Sequence, residues 1–191
     1  MNTEELNALK DRAYKTAVEH GFHEEEKSDA FYLGLVMSEA GEAINADRKG
    51  RHADIKGFEE NFEILPFEVI FKGHIKDSVE DEIADIVIRL LDFAGLKEYE
   101  LRLKTITQSD IEFLQLDGEY LPADLFFLMG ILSDAHDDDD DELETCISGL
   151  ISILSSCFKR MTGGSDCDLW WFVKQKMRYN ELRPKLNGKL Y

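Results

Sequence analysis

The stretch from Ser78 to Gly95 reads SVEDEIADIVIRLLDFAG and predicts the helix around which the chain is organised. Its apolar residues recur at three- and four-residue spacing, the pattern of an amphipathic helix with one buried face. They are Ile83, Ile86, Val87, Leu90, Leu91 and Ala94. Glu82 and Asp85 border this face, and residues three apart lie on the same side of a helix. Their carboxylates therefore converge, and a cation or a proton must relieve the repulsion between them.

A second acid pair stands upstream in FYLGLVMSEAGEAINADRKG, residues 31–50, where Glu39 and Glu42 have the same spacing. Two facing helices would bring all four carboxylates together. Carboxylates without paired His or Cys favour Mg²⁺ or Mn²⁺ over zinc or copper, and neither pair has the Glu-x-x-His form of di-iron bundles. The sequence thus predicts a Mg²⁺ site, with Mn²⁺ as a substitute, at Glu39, Glu42, Glu82 and Asp85. Each pair taken alone is more typical of a solvated helix face, and the two pairs together, each beside a buried apolar stripe, are more specific.

Composition narrows the class of protein. The chain has 191 residues, 43% of them hydrophobic, and a formal net charge of −18. Such an acidic chain is poorly suited to a large nucleic-acid interface, because phosphate backbones require a basic surface. No apolar run approaches the roughly twenty residues of a membrane span. We therefore expect one soluble, cytoplasmic domain that binds neither nucleic acid nor membrane.

The helical period of the apolar residues, together with capping and helix-ending residues, predicts an all-α fold. The expected helices run from Glu4 to His20, from Asp29 to about Lys49, from a cap at Asp77 to near Gly95, from Pro122 onward, from about Asp141 to Arg160, and from a cap at Ser165 or Asp166 to near Pro184. Residues 51–76 predict a loop or small excursion with a β-prone run from Phe67 to Phe71. Residues 97–118 are ambiguous, with a helix through Leu103 as one option and a turn near Asp117 and Gly118. No strand-rich region competes with the helices.

An internal similarity indicates a fused pseudo-dimer. FYLGLVMSEAGE from Phe31 aligns with FFLMGILSDAHD from Phe126, and EDEIADIVIRLLDFA from Glu80 aligns with DDELETCISGLISIL from Asp140. The acids of the first pair then match Asp134 and Asp137, Glu82 matches Glu142, and Asp85 is replaced by Thr145. The prediction is a four-helix bundle in which residues 1–97 bind the metal and residues 98–191 hold a degenerate repeat. Chance similarity between amphipathic helices is the alternative.

The motifs together resemble those of the MazG-like, all-α nucleoside triphosphate pyrophosphohydrolases, which are relatives of the dimeric dUTPases. The family signature is Glu-x-x-Glu followed by Glu-x-x-Asp on the next helix, matched here by the two acid pairs. The runs DRKGR, from Asp47, and KMRYNELRPKLNGKLY, from Lys176, are also similar to family sequences. The acid pairs are farther apart than is usual in the family, and the region from Lys97 to Thr162 has no counterpart in its short members.

This resemblance implies a four-helix core and hydrolysis of a nucleoside or deoxynucleoside triphosphate to monophosphate and pyrophosphate, with water attacking the α-phosphorus. It assigns Mg²⁺ to the four acids and nucleotide contacts to the C-terminal segment and to the end of the second helix. The residues so assigned are Lys176, Tyr179, Asn180 and Arg183, with Arg48 and Arg51. For the four C-terminal residues the alternative is a basic helix that packs on the acidic remainder of the protein without contacting a nucleotide. The proton acceptor stays open, with Asp81 and Asp92 as options.

Three further questions stay open from the sequence alone. A degenerate relative that binds a nucleotide or a protein partner without catalysis would carry much of the same pattern. A chain with both repeats is expected to be a monomeric pseudo-dimer, or a homodimer if an apolar outer face remains. Phe31 and Tyr32 are options for stacking on a base, although aromatic residues in an apolar helix more often lie in the core.

Overall fold

The computed structural model describes residues 1–116, 120–136 and 139–185, and this part of the chain is helical without strands. The helices are α1 Thr3–Glu19, α2 Asp29–Arg48, α3 Ile55–Asn61, α4 Phe67–His74, α5 Val79–Leu96, α6 Gln108–Phe113, α7 Leu121–His136, α8 Asp140–Met161 and α9 Leu169–Glu181. The all-α prediction is confirmed. No helix in the described ranges is long and apolar enough to cross a membrane.

Helix α5 lies at the centre of the fold. It packs against α1, α2, α8 and α9, and nearly every side chain along it is buried. Helix α7 packs against both α2 and α8, so α2, α5, α8 and α7 contact one another in a closed ring. The buried apolar side chains of both chain halves form one continuous cluster. This ring has the membership that the internal similarity predicts, while the two-fold relation between the halves stays a prediction.

The excursion between α2 and α5 is helical. The run from Phe67 to Phe71, expected to favour a strand, forms the first part of α4 because its apolar residues reach the core as a helix. Ile70 and Phe71 are buried, and Phe58 of α3 packs edge-on against Trp171 of α9. The carboxylate of Glu80 in α5 accepts a hydrogen bond from the Ala53 amide at 3.0 Å. The excursion is therefore a small helical pair that braces α9 against α5.

Several helix ends differ from their predicted caps. Ser78 caps α5 by accepting a hydrogen bond from the Asp81 amide, whereas Asp77, the expected cap, has a positive φ of 60° just outside the helix. Asp168 caps α9 in place of Ser165 or Asp166. Each serves because its side-chain oxygen reaches an amide of the first turn that has no partner within the helix.

No helix runs through Leu103. Residues 101–107 have no regular secondary structure, and hydroxyls of α8 bind two of their amides: Ser148 accepts from Arg102 and Ser152 accepts from Lys104. These bonds replace those that a helix would supply. The short α6 follows, and the expected turn at Asp117 and Gly118 lies outside the described residues.

Candidate functional site

A cavity of about 330 Å³ opens between α1, α2, α5 and α9. Its floor is a polar stripe on α5, formed by Glu82, Asp85, Arg89 and Asp92, whose spacing of three, four and three residues keeps them on one face. Helix α2 adds Glu39 and Glu42. Helix α9 and the residues after it add Lys176, Met177, Asn180 and Arg183. The volume lies at the lower end of the range of pockets that hold small molecules.

Three glutamates, Glu39, Glu42 and Glu82, meet at one end of this cavity, and we call them the glutamate cluster. Each offers an oxygen, and these oxygens all lie within 4.8 Å of one another. Mg²⁺ binds oxygen at about 2.1 Å, so two ligands on opposite sides of the ion lie about 4.2 Å apart. The cluster therefore needs only a small closure to surround a magnesium ion, and its all-oxygen donor set suits that ion.

Burial makes the carboxyls of Glu39 and Glu82 reluctant to ionise without a cation. Desolvation raises the pKa of Glu82 to about 8, partly offset by Lys176, and it also raises the pKa of Glu39. Glu42 is exposed to solvent, so the cluster has one open side. Protonated or cation-bound, the cluster is stable, and a fully ionised cluster with no cation is not.

Asp85, the fourth predicted ligand, faces the same cavity but is bound by a lysine. Lys176 Nζ lies 2.7 Å from Asp85 Oδ2 and 2.6 Å from Asp81 Oδ2. Lys176 and Asp81 are both buried. The three carboxylates around this ammonium, Asp81 and Asp85 first, raise the pKa of Lys176 and keep it charged. The lysine thus supplies a permanent cation beside the glutamate cluster.

A second acidic group adjoins the first and comprises Asp77, Asp81 and Glu82. Asp81 Oδ2 accepts hydrogen bonds from the Asp77 amide and from Lys176, while its Oδ1 is buried without a partner in the described structure. Desolvation raises the pKa of Asp81 to about 6. Because Lys176 already neutralises this group, the glutamate cluster is the better metal site.

A second pair of a cation and an acid lies on the floor of the cavity. Arg89 Nε donates to Glu39 Oε1 at 3.0 Å, and the Arg89 guanidinium lies 5.8 Å from the centre of the Phe22 ring. Lys76 and Arg183 also line the cavity. The walls therefore combine carboxylates with cations that can bind phosphate oxygens.

The structure separates the predicted nucleotide contacts into two groups. Asn180 and Arg183 line the cavity, and Asn180 Oδ1 is buried without a partner among the described residues. The Tyr179 ring instead stacks on Phe71, with centres 4.6 Å apart and planes 16° from parallel. Arg48 is exposed at the end of α2, outside the described lining. Arg51 is half exposed and reaches the rim only through Asp77, at 3.6 Å.

The opposite end of the cavity holds residues that the acid motifs did not indicate. Asp92 Oδ1 lies 2.8 Å from His23 Nε2, and His23 Nδ1 lies 3.2 Å from the Tyr32 hydroxyl. Tyr32 is buried behind this chain and does not line the cavity, whereas Phe22 does. The sequence offered Asp92 only as a proton acceptor and did not indicate Arg89, although extending the spacing of Glu82 and Asp85 two turns along α5 reaches both.

The end of α1 positions Phe22 and His23. The Gly21 amide donates to the Val18 carbonyl and the Phe22 amide to the Ala17 carbonyl, the two bonds of a Schellman motif. Gly21 has φ of +83°, a conformation that favours glycine. Helix α1 therefore ends where the sequence predicts, with His20 as its C-cap.

No protein-family model, curated protein or solved structure matches the chain. The resemblance of its motifs to the MazG-like enzymes therefore stays a prediction. The geometry of the cavity carries the functional proposal.

The acids of the second half form no comparable site in the described ranges. Asp134 and Glu142 are exposed, and both candidate metal groups lie in the first half of the chain. Asp137 lies outside the described residues. Within residues 1–116, 120–136 and 139–185, the candidate metal groups thus form one acidic centre.

Proposed function

We propose that the chain is a MazG-like enzyme that hydrolyses a nucleoside or deoxynucleoside triphosphate to the monophosphate and pyrophosphate with Mg²⁺. The convergence of Glu39, Glu42 and Glu82 within 4.8 Å at one end of a cavity that also contains Lys76 and Arg183 carries this proposal. Acids to hold a metal and cations to hold phosphate are the two requirements of phosphoanhydride hydrolysis.

The glutamate cluster would hold the metal, with Asp85 beside it. Bound Mg²⁺ supplies charge for the phosphate oxygens and lowers the pKa of water enough for attack on the α-phosphorus. Lys76 and Arg183 bind phosphate oxygens from the cavity wall and neutralise charge on the departing pyrophosphate. Lys176 fixes the orientation of Asp85 through its 2.7 Å contact.

Asp81 and Asp92 are the two proton acceptors that the sequence suggested. Neither is well placed to accept the proton of the attacking water. Asp81 is completely buried, and Lys176 and the Asp77 amide cover its Oδ2. Asp92 lies ten residues beyond Glu82 on α5, about 15 Å along the helix axis. The acceptor therefore belongs to the carboxylates at the metal end of the cavity.

A specific observation favours a second candidate, a non-catalytic binding module. Two of the four predicted ligands already pair with protein cations, Glu39 with Arg89 and Asp85 with Lys176. A site neutralised by its own side chains would bind a nucleotide without requiring a metal. It would be stabilised by its ligand and would leave it intact.

A pyrophosphate-release assay over canonical and modified NTPs and dNTPs, in Mg²⁺, Mn²⁺ or EDTA, separates the two candidates. The enzyme should release pyrophosphate and monophosphate only with metal. Glu42→Gln is the cleanest test variant because Glu42 is exposed, and turnover should fall at least about 100-fold, more than changes to residues that only orient metal ligands cause.

Glu142→Gln, at an exposed glutamate of the second half, is the matched control and should keep full activity. Glu39→Ala and Asp85→Ala should also abolish turnover while the helical circular dichroism spectrum persists. Full activity in Glu42→Gln, or turnover that EDTA does not reduce, would reject the enzymatic proposal. Ligand-induced stabilisation with no pyrophosphate release would favour the binding module.

A further inference from the structure

The floor of the cavity is long enough to separate two functions. Glu82 and Asp92 mark the ends of the α5 stripe, about 15 Å apart at 1.5 Å per residue. The glutamate cluster occupies one end, and Phe22 and Asp92 occupy the other, which we call the distal end. A nucleoside triphosphate is similarly extended, with its phosphates and its base at opposite ends. Phosphates at the metal end therefore place the base at the distal end.

The distal end contains a buried carboxyl group, that of Asp92, with one oxygen that can still accept a hydrogen bond. Asp92 is 7% exposed, and its Oδ1 is occupied by His23 Nε2 at 2.8 Å. Its Oδ2 accepts no hydrogen bond from the described residues. Asp92 lines the cavity, so a ligand there can donate a hydrogen bond to Oδ2, and such a bond to a charged acceptor is stronger than one between neutral groups.

The orientation of this acceptor is fixed from behind. His23 lies between Asp92 and the Tyr32 hydroxyl, and its ring also contacts Tyr14 with centres 5.1 Å apart. Held on two sides, the imidazole restricts the Asp92 carboxyl to one orientation. Such preorganisation is what a specificity-determining contact requires.

The surroundings of Asp92 suit a flat aromatic ligand. Phe22 lines the cavity beside Arg89, and aromatic rings and guanidinium planes are the surfaces on which bases stack. Ala13 and Ala17 of α1 also line the cavity, and their small side chains leave room for a ring.

We propose that the distal end binds the base of the nucleotide, that Asp92 Oδ2 accepts a hydrogen bond from an exocyclic amino group, and that the enzyme therefore prefers nucleotides with an amino-bearing base. This inference rests on the proposed function, because it assumes that phosphates occupy the metal end. An amino group donates to the carboxylate, as cytosine N4 does to acidic side chains. A keto oxygen at the same position is repelled and leaves the carboxylate unpaired.

Two substrate pairs isolate this contact. CTP and UTP differ chiefly by an amino group against an oxygen at one ring position, and ATP and ITP differ in the same way. The wild-type protein should show a kcat/KM about 10- to 100-fold higher for the amino member of at least one pair, the range that one hydrogen bond to a charged group supports. The dissociation constants, measured with Mg²⁺ by calorimetry, should differ in the same direction.

Asp92→Asn keeps the shape of the side chain and adds a donor. Its kcat/KM ratio between the members of the preferred pair should fall to near one or reverse, because the carboxamide can donate to a keto oxygen. Phe22→Leu is the control, since it weakens stacking without changing the polar contact. It should lower kcat/KM for both members of a pair to a similar extent.

The outcomes distinguish this inference from the proposed function. Turnover with less than about twofold discrimination in both pairs, or an unchanged ratio in a folded Asp92→Asn protein, overturns the inference and leaves the enzyme standing. Binding that discriminates at least tenfold with no turnover supports Asp92 recognition and overturns the enzymatic proposal. Absence of both binding and turnover overturns both. If Asp92→Asn does not fold, the wild-type ratios and dissociation constants decide.

Discussion

Lys176 Nζ lies 2.7 Å from Asp85 Oδ2, and this contact joins the last described helix to the predicted metal motif. The same ammonium binds Asp81 at 2.6 Å. Lysine and aspartate are rarely buried unless they are paired, so these groups depend on one another. The contact makes Lys176 a structural cation of the site, whereas the sequence resemblance assigned it to the nucleotide.

Replacing Lys176 by Met should therefore destabilise the fold, because it leaves the buried Asp81 without its cation. We expect a loss of about 3–5 kcal/mol in the free energy of unfolding, measured with urea. Lys174→Met is the matched control on the same helix, where the lysine is exposed, and it should change stability by less than about 0.5 kcal/mol. Adding Asp81→Asn should recover part of the loss, and strict additivity of the two changes would contradict the pairing.

The free energy of unfolding should fall with rising pH when no metal is present. Glu82 has a pKa of about 8 in the fold against its usual 4.5, so between these values the folded chain binds more protons than the unfolded chain. Stability is therefore fully present below about pH 4.5 for this group and is lost as the pH rises through 8. Urea titrations in EDTA at pH 5, 6.5 and 8 measure this slope, and Glu82→Gln should reduce it.

Mg²⁺ should reverse this loss, because it replaces the proton that Glu82 would otherwise retain. The stabilisation that Mg²⁺ gives should be larger at pH 8 than at pH 5. An equal gain at both values would indicate that the metal binds somewhere other than the glutamate cluster. The same experiment with Glu142→Gln should resemble the wild type.

Tyr179→Phe should leave kcat/KM within about twofold of the wild type. The ring is buried on Phe71, and the described cavity lining does not include it. Phe71→Ala should instead cost about 3–5 kcal/mol in stability, because it removes a fully buried aromatic ring. A large loss of activity in a stable Tyr179→Phe protein would show that the hydroxyl contacts the nucleotide.

Gly21→Ala should destabilise the distal end of the cavity. The backbone there has φ of +83°, and an added Cβ would lie 2.5 Å from Lys185 Cε. We expect a loss of about 1–2 kcal/mol from the left-handed conformation. Gly130→Ala is the control, because this exposed glycine of α7 has open space around it and should gain about 0.5–1 kcal/mol. Equal effects of the two changes would contradict the role of the motif.

Among the described helices, the six longest are those that the sequence alone predicted. Sequence reasoning located α1, α2, α5, α7, α8 and α9, with errors of a few residues at their ends. It failed at α4, because the phenylalanines there favour a strand locally while burial of Ile70 and Phe71 favours a helix. It also could not exclude a helix through Leu103, where serine hydroxyls of α8 bind backbone amides of a segment without regular secondary structure. Such long-range contacts leave no local pattern.

The part of the candidate site that the sequence predicted is the part set by the spacing of acids along a helix. Glu39, Glu42 and Glu82 meet as their helical register requires, and Asp85 faces the same cavity. The pairing of Asp85 with Lys176 was not predictable, since it depends on how α9 packs across α5. Arg48 and Arg51 were assigned from the resemblance of the DRKGR run, and a sequence motif does not tell which side of a helix end faces the cavity.

The contact between Lys176 and Asp81 joins residues that are 95 positions apart in the sequence. During synthesis, α5 therefore leaves the ribosome long before the lysine that neutralises its buried acid. Until α9 docks, Asp81 must stay hydrated or protonated, and the cavity lacks one wall. The nascent chain thus completes its acidic centre late. Binding of a nucleotide or metal there would require that α9 has already packed against α5.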